Sequence, residues 1–220
     1  NSGRLKIFMV PTTLKNPVKD LPYDEGAFDT YHKYGYLMFP QQRRIYDNIK
    51  QQLQSYSTVL EVGCGIGLGT AILDRGLTTK IVGTDNLTEN VSIAKALYPW
   101  IEFKRFDVCD ISTANGLRAC DVVVAIEVLE HVAEPIKAIK NLCSLALKEV
   151  WISTPNGLGK KRPPDNPYHV LELTASEVVS MVNEAVNGWT IQILDYETFT
   201  PVGTDSRHDP LVYRLTKDAR

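Results

Sequence analysis

Several features are scarce or missing in this 220-residue chain, and each absence narrows its class. No apolar run is long enough to span a bilayer, and no signal-peptide pattern stands near the start, so a membrane-embedded or exported chain is not expected. Cysteine is limited to Cys64, Cys109, Cys120 and Cys143. They form no CxxC pair, which excludes a disulfide framework and points to a reduced, cytoplasmic setting. Net charge is nearly absent: 24 Lys+Arg against 26 Asp+Glu leave −2. That excludes a uniformly basic surface that binds nucleic acid without regard to sequence. The balance is uneven, with 8 basic and 5 acidic residues in 1–56 against 16 and 21 in the remainder, so an anionic partner would meet the N-terminal part. Repeats and low-complexity tracts are also missing. What is present is ordinary: 44% apolar and 23% charged residues, enough to bury a core. At about 100–200 residues per domain the length fits one domain. Asn1-Ser2-Gly3 are set aside from the fold reading as a trimmed or appended end.

From Ser57 onward, short apolar runs alternate with helical patterns. Strands are expected at Val59–Val62, Lys80–Gly83, Ile101–Phe103, Val122–Ile126 and Val150–Ile152. The unbroken apolar run Val122–Ile126 suits a strand covered on both faces. Helices are expected after Gly67, over Glu89–Leu97, from Pro135 and from Thr174. Proline suits a first helical position, and Thr174 with Glu177 forms a capping box. Such alternation builds right-handed βαβ units around a parallel sheet. Trp189–Leu194 and Leu211–Leu215 read as a closing antiparallel pair, joined by the loop Thr198–Pro210. Residues 1–55 read as an N-terminal cap with a helix at Gln41–Gln54, and 56–220 as the main domain, the two forming one structural unit. Tyr23, Phe28, Tyr31, Tyr34, Tyr36 and Phe39 either pack the cap onto the sheet or wall a lid over a ligand.

The strongest local signal is Glu61-Val62-Gly63-Cys64-Gly65-Ile66-Gly67-Leu68-Gly69, between the first strand and the first helix. Glycines there permit a tight turn and close approach of a ligand to the backbone. In a doubly wound sheet, ligands sit beyond the carboxyl ends of the strands. The dinucleotide fingerprint GxGxxG fails in both frames, because its third glycine would fall on Leu68 or Thr70. A phosphate-binding P-loop fails as well, since no Gly-Lys-Ser/Thr follows. A nucleotide-dependent oxidoreductase is therefore disfavoured.

The pattern acidic-x-Gly-x-Gly-x-Gly resembles the first motif of class I S-adenosylmethionine-dependent methyltransferases. The resemblance continues through Asp85 at the end of the second strand, Asp107 after the third, Ile126-Glu127-Val128-Leu129-Glu130-His131 after the fourth, and Ser153-Thr154-Pro155-Asn156 after the fifth. It covers Ser57 to Glu177, and the post-fourth-strand segment looks like that of the broad group containing the ubiquinone-biosynthesis O-methyltransferases. The resemblance implies an α/β, Rossmann-like fold with a mostly parallel seven-stranded sheet, an antiparallel last strand and an N-terminal helical cap. It implies S-adenosyl-L-methionine as cofactor. Its site would comprise Glu61, Gly63, Cys64, Gly65, Gly67, Asp85, Asn86, Asp107, Val108, Ile126 and Glu127. Asp85 would accept the ribose hydroxyls, while Asp107 and the backbone beside it would read the adenine. One departure is the missing Pro-Gly-Gly turn before the fifth strand, where Ala146-Leu147-Lys148-Glu149 stands.

Methyl transfer needs alignment and exclusion of water, and proximity alone can supply roughly 7–11 kcal/mol. A hydroxyl acceptor gains from a base, so His131 is the catalytic candidate, as general base or as the group orienting the acceptor. Its structural alternative is a hydrogen bond at a helix start. Exocyclic-amine methyltransferases carry an (Asp/Asn/Ser)-Pro-Pro-aromatic motif where this chain has Ile126-Glu127-Val128-Leu129, so base N-methylation is disfavoured. Asp165-Asn166-Pro167-Tyr168 lies beyond the fifth strand, out of place for that motif. Glu127, Glu130, His131 and His169 resemble the metal site of small-RNA 3′-end 2′-O-methyltransferases, and carboxylate with imidazole suits a divalent ion. The alternative has Glu127 touching the cofactor and Glu130 capping or facing solvent, and no metal is assigned. Lys160-Lys161-Arg162 in the loop Gly157–Pro164, and Arg43 with Arg44, are candidates for an anionic group. The expected function is methyl transfer to a hydroxyl of a small-molecule or sugar-like acceptor, less readily an amine. Metal-assisted RNA 2′-O-methylation and a non-catalytic cofactor-binding module remain open, as does the oligomeric state.

Overall fold

The run Val122–Ile126 owes its unbroken apolar character to its place in a sheet covered on both sides. Val122, Val124 and Ile126 point into one core cluster, and Val123 and Ala125 into the other. That is the period-two alternation of a strand with two apolar faces. The computed structural model describes residues 40–74, 80–160, 164 and 168–219. The strands are β1 (Thr58–Val62), β2 (Lys80–Asp85), β3 (Glu102–Arg105), β4 (Cys120–Ile126), β5 (Ala146–Thr154), β6 (Trp189–Asp195) and β7 (Leu211–Lys217). Their order is β3-β2-β1-β4-β5-β7-β6. Strands β1 to β5 pair in parallel, and β7 runs antiparallel between β5 and β6. The expected seven-stranded, mostly parallel sheet with an antiparallel last strand is the observed one.

The helices are α1 (Pro40–Gln52), α2 (Leu68–Asp74), α3 (Thr88–Leu97), α4 (Pro135–Leu145) and α5 (Ala175–Ala185). Proline opens α4, whose Ala138, Ile139, Leu142 and Cys143 face one core cluster. Thr174 and Glu177 close a reciprocal capping box at the start of α5. Helix α4 ends at Leu145 and β5 begins at Ala146, so helix passes into strand without a loop. Strand β5 accordingly begins at Ala146, four residues before the apolar run that announced it.

Helix α1 buries Ile45, Tyr46 and Ile49, and Leu53 follows in a short 3₁₀ turn. These residues share a core cluster with Val59 of β1, Ile72 of α2 and Val124 of β4. The helix is thus packed into the sheet domain. The aromatic stretch Tyr23–Phe39, the cations Lys161 and Arg162, and Asp165-Asn166-Pro167 lie outside the described residues. No helix among the described residues is long and apolar enough to cross a membrane.

Candidate active site

Strands β1 and β4 are neighbours whose connections leave in opposite directions, so a crevice opens beyond their carboxyl ends. The glycine loop occupies one lip of it. Gly63, Gly65 and Gly67 take φ of 75°, 55° and 89°, values that L side chains rarely adopt. A methyl group on Gly67 would lie 2.8 Å from Phe103 Cζ, so packing also demands glycine there. A methyl group on Gly65 would meet nothing within 4 Å. The loop therefore leaves open space at its crest.

Two carboxylates hold this loop. Asp85, at the end of β2, accepts from Gly65 N at 2.9 Å through Oδ2, and from Leu87 N at 2.9 Å and Asn90 Nδ2 at 3.1 Å through Oδ1. A carboxylate offers about four acceptor sites. Three are used among the described residues, which leaves acceptor capacity for a ribose hydroxyl. Glu61 is fully buried. It accepts from Tyr46 Oη at 2.6 Å and from Thr70 Oγ1 at 2.5 Å. Burial, aided by the charge of Asp85 and opposed by these two donors, lifts its pKa to about 7. It presents no surface to a ligand. Cys64 donates its amide to Thr84 O at 2.8 Å, and burial raises its thiol far above the usual range. Sequence reasoning missed Tyr46 and Thr70. The hydroxyl nine residues after Glu61 was a usable signal for Thr70; Tyr46 gave none.

The remaining expected cofactor residues lie along the same edge. Asn86 is exposed and its carbonyl accepts from Arg105 Nε at 3.1 Å. Asp107 accepts from Cys109 N at 2.9 Å, and the buried Val108 receives Asn141 Nδ2 on its carbonyl at 2.8 Å. Ile126 ends β4. Glu127 follows with φ 56°, a left-handed conformation unusual for a non-glycine residue. Its carboxylate accepts from Ser153 Oγ at 2.7 Å, and its amide bonds to Ser153 O at 3.1 Å. Burial, then the charge of Asp209, raises its pKa to about 7.

A 3₁₀ turn, Leu129–His131, then delivers two polar side chains to a cavity of about 990 Å³. Glu127, Glu130, His131, Lys160 and His169 are among its lining, with Gln41 and Gln42 from α1 on another wall. His131 Nδ1 lies 2.8 Å from Tyr168 O and donates to it, so Nε2 is the nitrogen that can accept when the ring is neutral. This bond crosses to a distant segment, in place of the bond at a helix start. His169 Nδ1 is 2.9 Å from Glu172 Oε1. The two imidazoles meet edge to face with centroids 5.0 Å apart.

Glu130 neither caps a helix nor faces solvent. It is 1% exposed, and neither carboxylate oxygen accepts a hydrogen bond among the described residues. Oε1 stands 4.0 Å from His131 Nε2. Burial, then the charges of Glu127 and Glu172, pushes it well above the usual carboxylate range. Lys160 pairs with Asp209 at 2.9 Å and approaches Glu172 at 3.8 Å, so it is committed to acidic neighbours. Arg43 pairs with Asp47 at 2.8 Å and Arg44 with Glu197 at 2.6 Å.

A sheet of this order, with a glycine loop after β1 and an acidic residue ending β2, is the Rossmann-like fold of class I S-adenosylmethionine-dependent methyltransferases. The family model described as "Methyltransferase domain" matches residues 34–184, and the chain belongs to that family. A probable S-adenosylmethionine-dependent methyltransferase of Mycolicibacterium smegmatis is 27% identical over 133 residues, covering 58% of this chain and 50% of the relative. The chain thus spans about half the length of the curated relatives it matches. Among solved structures, the plantazolicin methyltransferase BpumL, in complex with a triazolic desmethylPZN analog and SAH, superposes with a TM-score of 0.67. It is 15% identical, over 89% of this chain and 92% of that one. The N-terminal domain of EvdMO1, in the presence of SAH and D-fucose, gives 0.58 at 18% identity, over 85% and 87%. These likenesses establish the fold, and the domain is an S-adenosylmethionine-dependent methyltransferase domain. The open crest at Gly65 and the free acceptor site on Asp85 fit that cofactor.

Proposed function

We propose that this chain transfers a methyl group from S-adenosylmethionine to a hydroxyl of a small, polar, ring-bearing acceptor. The observation that carries the reading is the polar floor of the cavity. His131 and His169 each have Nδ1 on an acceptor, so in the neutral imidazole each Nε2 can receive a proton or a hydroxyl hydrogen. Tyr168, 72% exposed at the rim, offers a face for a ring. The D-fucose named with the EvdMO1 domain lends support to a sugar-like acceptor.

When bound, S-adenosylmethionine supplies an electrophilic methyl on a sulfonium centre. The glycine loop and Asp85 would hold it, with Asp107 and the Val108 backbone at the adenine end. His131, aimed by Tyr168 O, orients the acceptor hydroxyl and takes its proton at Nε2. Lys160, bridging to Asp209, fixes one wall so that the hydroxyl is held in line and water is excluded.

A second reading is metal-assisted transfer to a ribose 2′-hydroxyl of RNA, and one observation favours it. Glu130, His131 and His169 each place one ligand atom within 4.8 Å of the others, and Glu130 is buried with no hydrogen-bond donor on either carboxylate oxygen among the described residues. Buried charge of that kind calls for a cation or a proton. An acceptor panel of sugars, phenols, amines and short RNA, run with and without EDTA, separates the readings. Chelator-insensitive turnover of a small hydroxylated acceptor supports the first. Turnover lost with EDTA and restored by Mn²⁺ supports the second. Methylation of amines alone would overturn both.

A further inference from the structure

A loop of glycines cannot hold its own shape, because each glycine is free to leave the conformation a ligand needs. The restraint must come from outside the loop. On the crest it is Asp85 Oδ2, bound to Gly65 N. At the base it is Glu61, itself held by Tyr46 and Thr70. We infer that Tyr46 of α1 is a positioning residue for S-adenosylmethionine, acting through Glu61 and Thr70 to clamp the base of the glycine loop.

Residues 61 and 70 bracket the loop, so the Glu61–Thr70 hydrogen bond ties its two ends together. Each oxygen of Glu61 has one donor, Thr70 on Oε2 and Tyr46 on Oε1. The Glu61 carbonyl is also engaged, by Thr84 Oγ1 at 2.9 Å, and Thr84 precedes Asp85. Base and crest are thus one continuous network. Gly69 belongs to it as well. A methyl group on Gly69 would collide with the Tyr46 phenol, and would lie 2.5 Å from Glu61 Oε1. The fourth glycine of the motif therefore makes room for the tyrosine, where the first three shape the turn. Tyr46 reaches this point because Ile45 and Ile49 anchor α1 in the core on either side of it. Without the phenol, a fully buried carboxylate keeps only one donor, and it protonates or swings away.

The inference rests on the loop being the cofactor site. Titration of S-adenosylhomocysteine into the wild type, with Asp85→Ala as control, tests that site, and no binding by the wild type would overturn both statements. Tyr46→Phe retains the ring and removes the donor. The expected result, at a temperature where the variant is folded by circular dichroism, is a Kd roughly 5- to 30-fold weaker. The pH midpoint of binding should also move upward, because the phenol favours the ionised Glu61. A melting point that falls while Kd stays within about twofold would reduce Tyr46 to a packing residue and overturn the proposal. Should the variant not fold, the wild type still decides. Carboxyl-carbon NMR of Glu61 should show its titration midpoint drop when S-adenosylhomocysteine binds, by reciprocity of linkage. An unmoved midpoint overturns the clamp.

Discussion

Glu61 and Asp85 are carboxylates at the ends of adjacent strands, and their surroundings give them different work. Asp85 is bonded by two amides and a side-chain amide and keeps acceptor capacity for a ligand. Asp85→Ala should weaken S-adenosylhomocysteine binding by roughly 10- to 100-fold, the worth of a charged hydrogen bond, as calorimetry would read. Glu61 is buried, and its pKa stands at about 7 against 4.5 for the free side chain. A carboxyl raised in the folded state adds stability that is complete below about 4.5 and lost as pH rises to about 7. The loss from this group is on the order of 3 kcal/mol at most. Urea unfolding at pH 5 and pH 8 should therefore show a larger drop for the wild type than for Glu61→Gln. An equal drop in both proteins would show that Glu61 is not the titrating group. The motif position of Glu61 was legible in the sequence, but its burial was not, because burial depends on Tyr46 arriving from fifteen residues upstream.

At the scale of elements, α1 is the instructive case. Its apolar residues Ile45 and Ile49 read as a helix face, but nothing in their spacing says what the face covers. The answer is β1, α2 and β4. Ile49→Ala should accordingly cost about 2–5 kcal/mol in chemical denaturation, the cost of a cavity in a core. A detachable cap would lose far less. The loop between β1 and α2 gives a complementary expectation. Gly67→Ala would impose a side chain at φ 89° and drive it against Phe103. It should destabilise by more than about 1 kcal/mol and weaken cofactor binding in the same titration. The junction of α4 with β5 shows the reverse situation. The sequence lacks a Pro-Gly-Gly turn at this point, and the chain passes from helix to strand at Ala146.

At the scale of the whole molecule, cofactor binding and folding should be linked, because the proposed site draws on β1, β2, β4, β5 and α1 together. Saturation with S-adenosylhomocysteine at 100 times its Kd should stabilise the protein by about 2.7 kcal/mol. For a chain of this size that corresponds to a rise of roughly 5–10 °C in Tm. At the same ligand concentration the rise should fall to about half or less in Asp85→Ala, and an undiminished rise there would move the binding site elsewhere.

The sequence by itself determined the order of strands and helices, the two-faced central strand and the glycine turn. These follow from periodicity and from glycine's access to positive φ, which are local properties of the chain; the cofactor class was implied by the resemblance of the motifs to a known family. Only the tertiary structure decided the partners. It buried Glu130 beside two imidazoles, placed Lys160 between two carboxylates, occupied Arg43 and Arg44 with surface acids, and brought Tyr46 to Glu61. Charge and hydrogen-bonding capacity are fixed by residue type. Whether they are spent on a neighbour or left for a ligand depends on which distant segments fold against them.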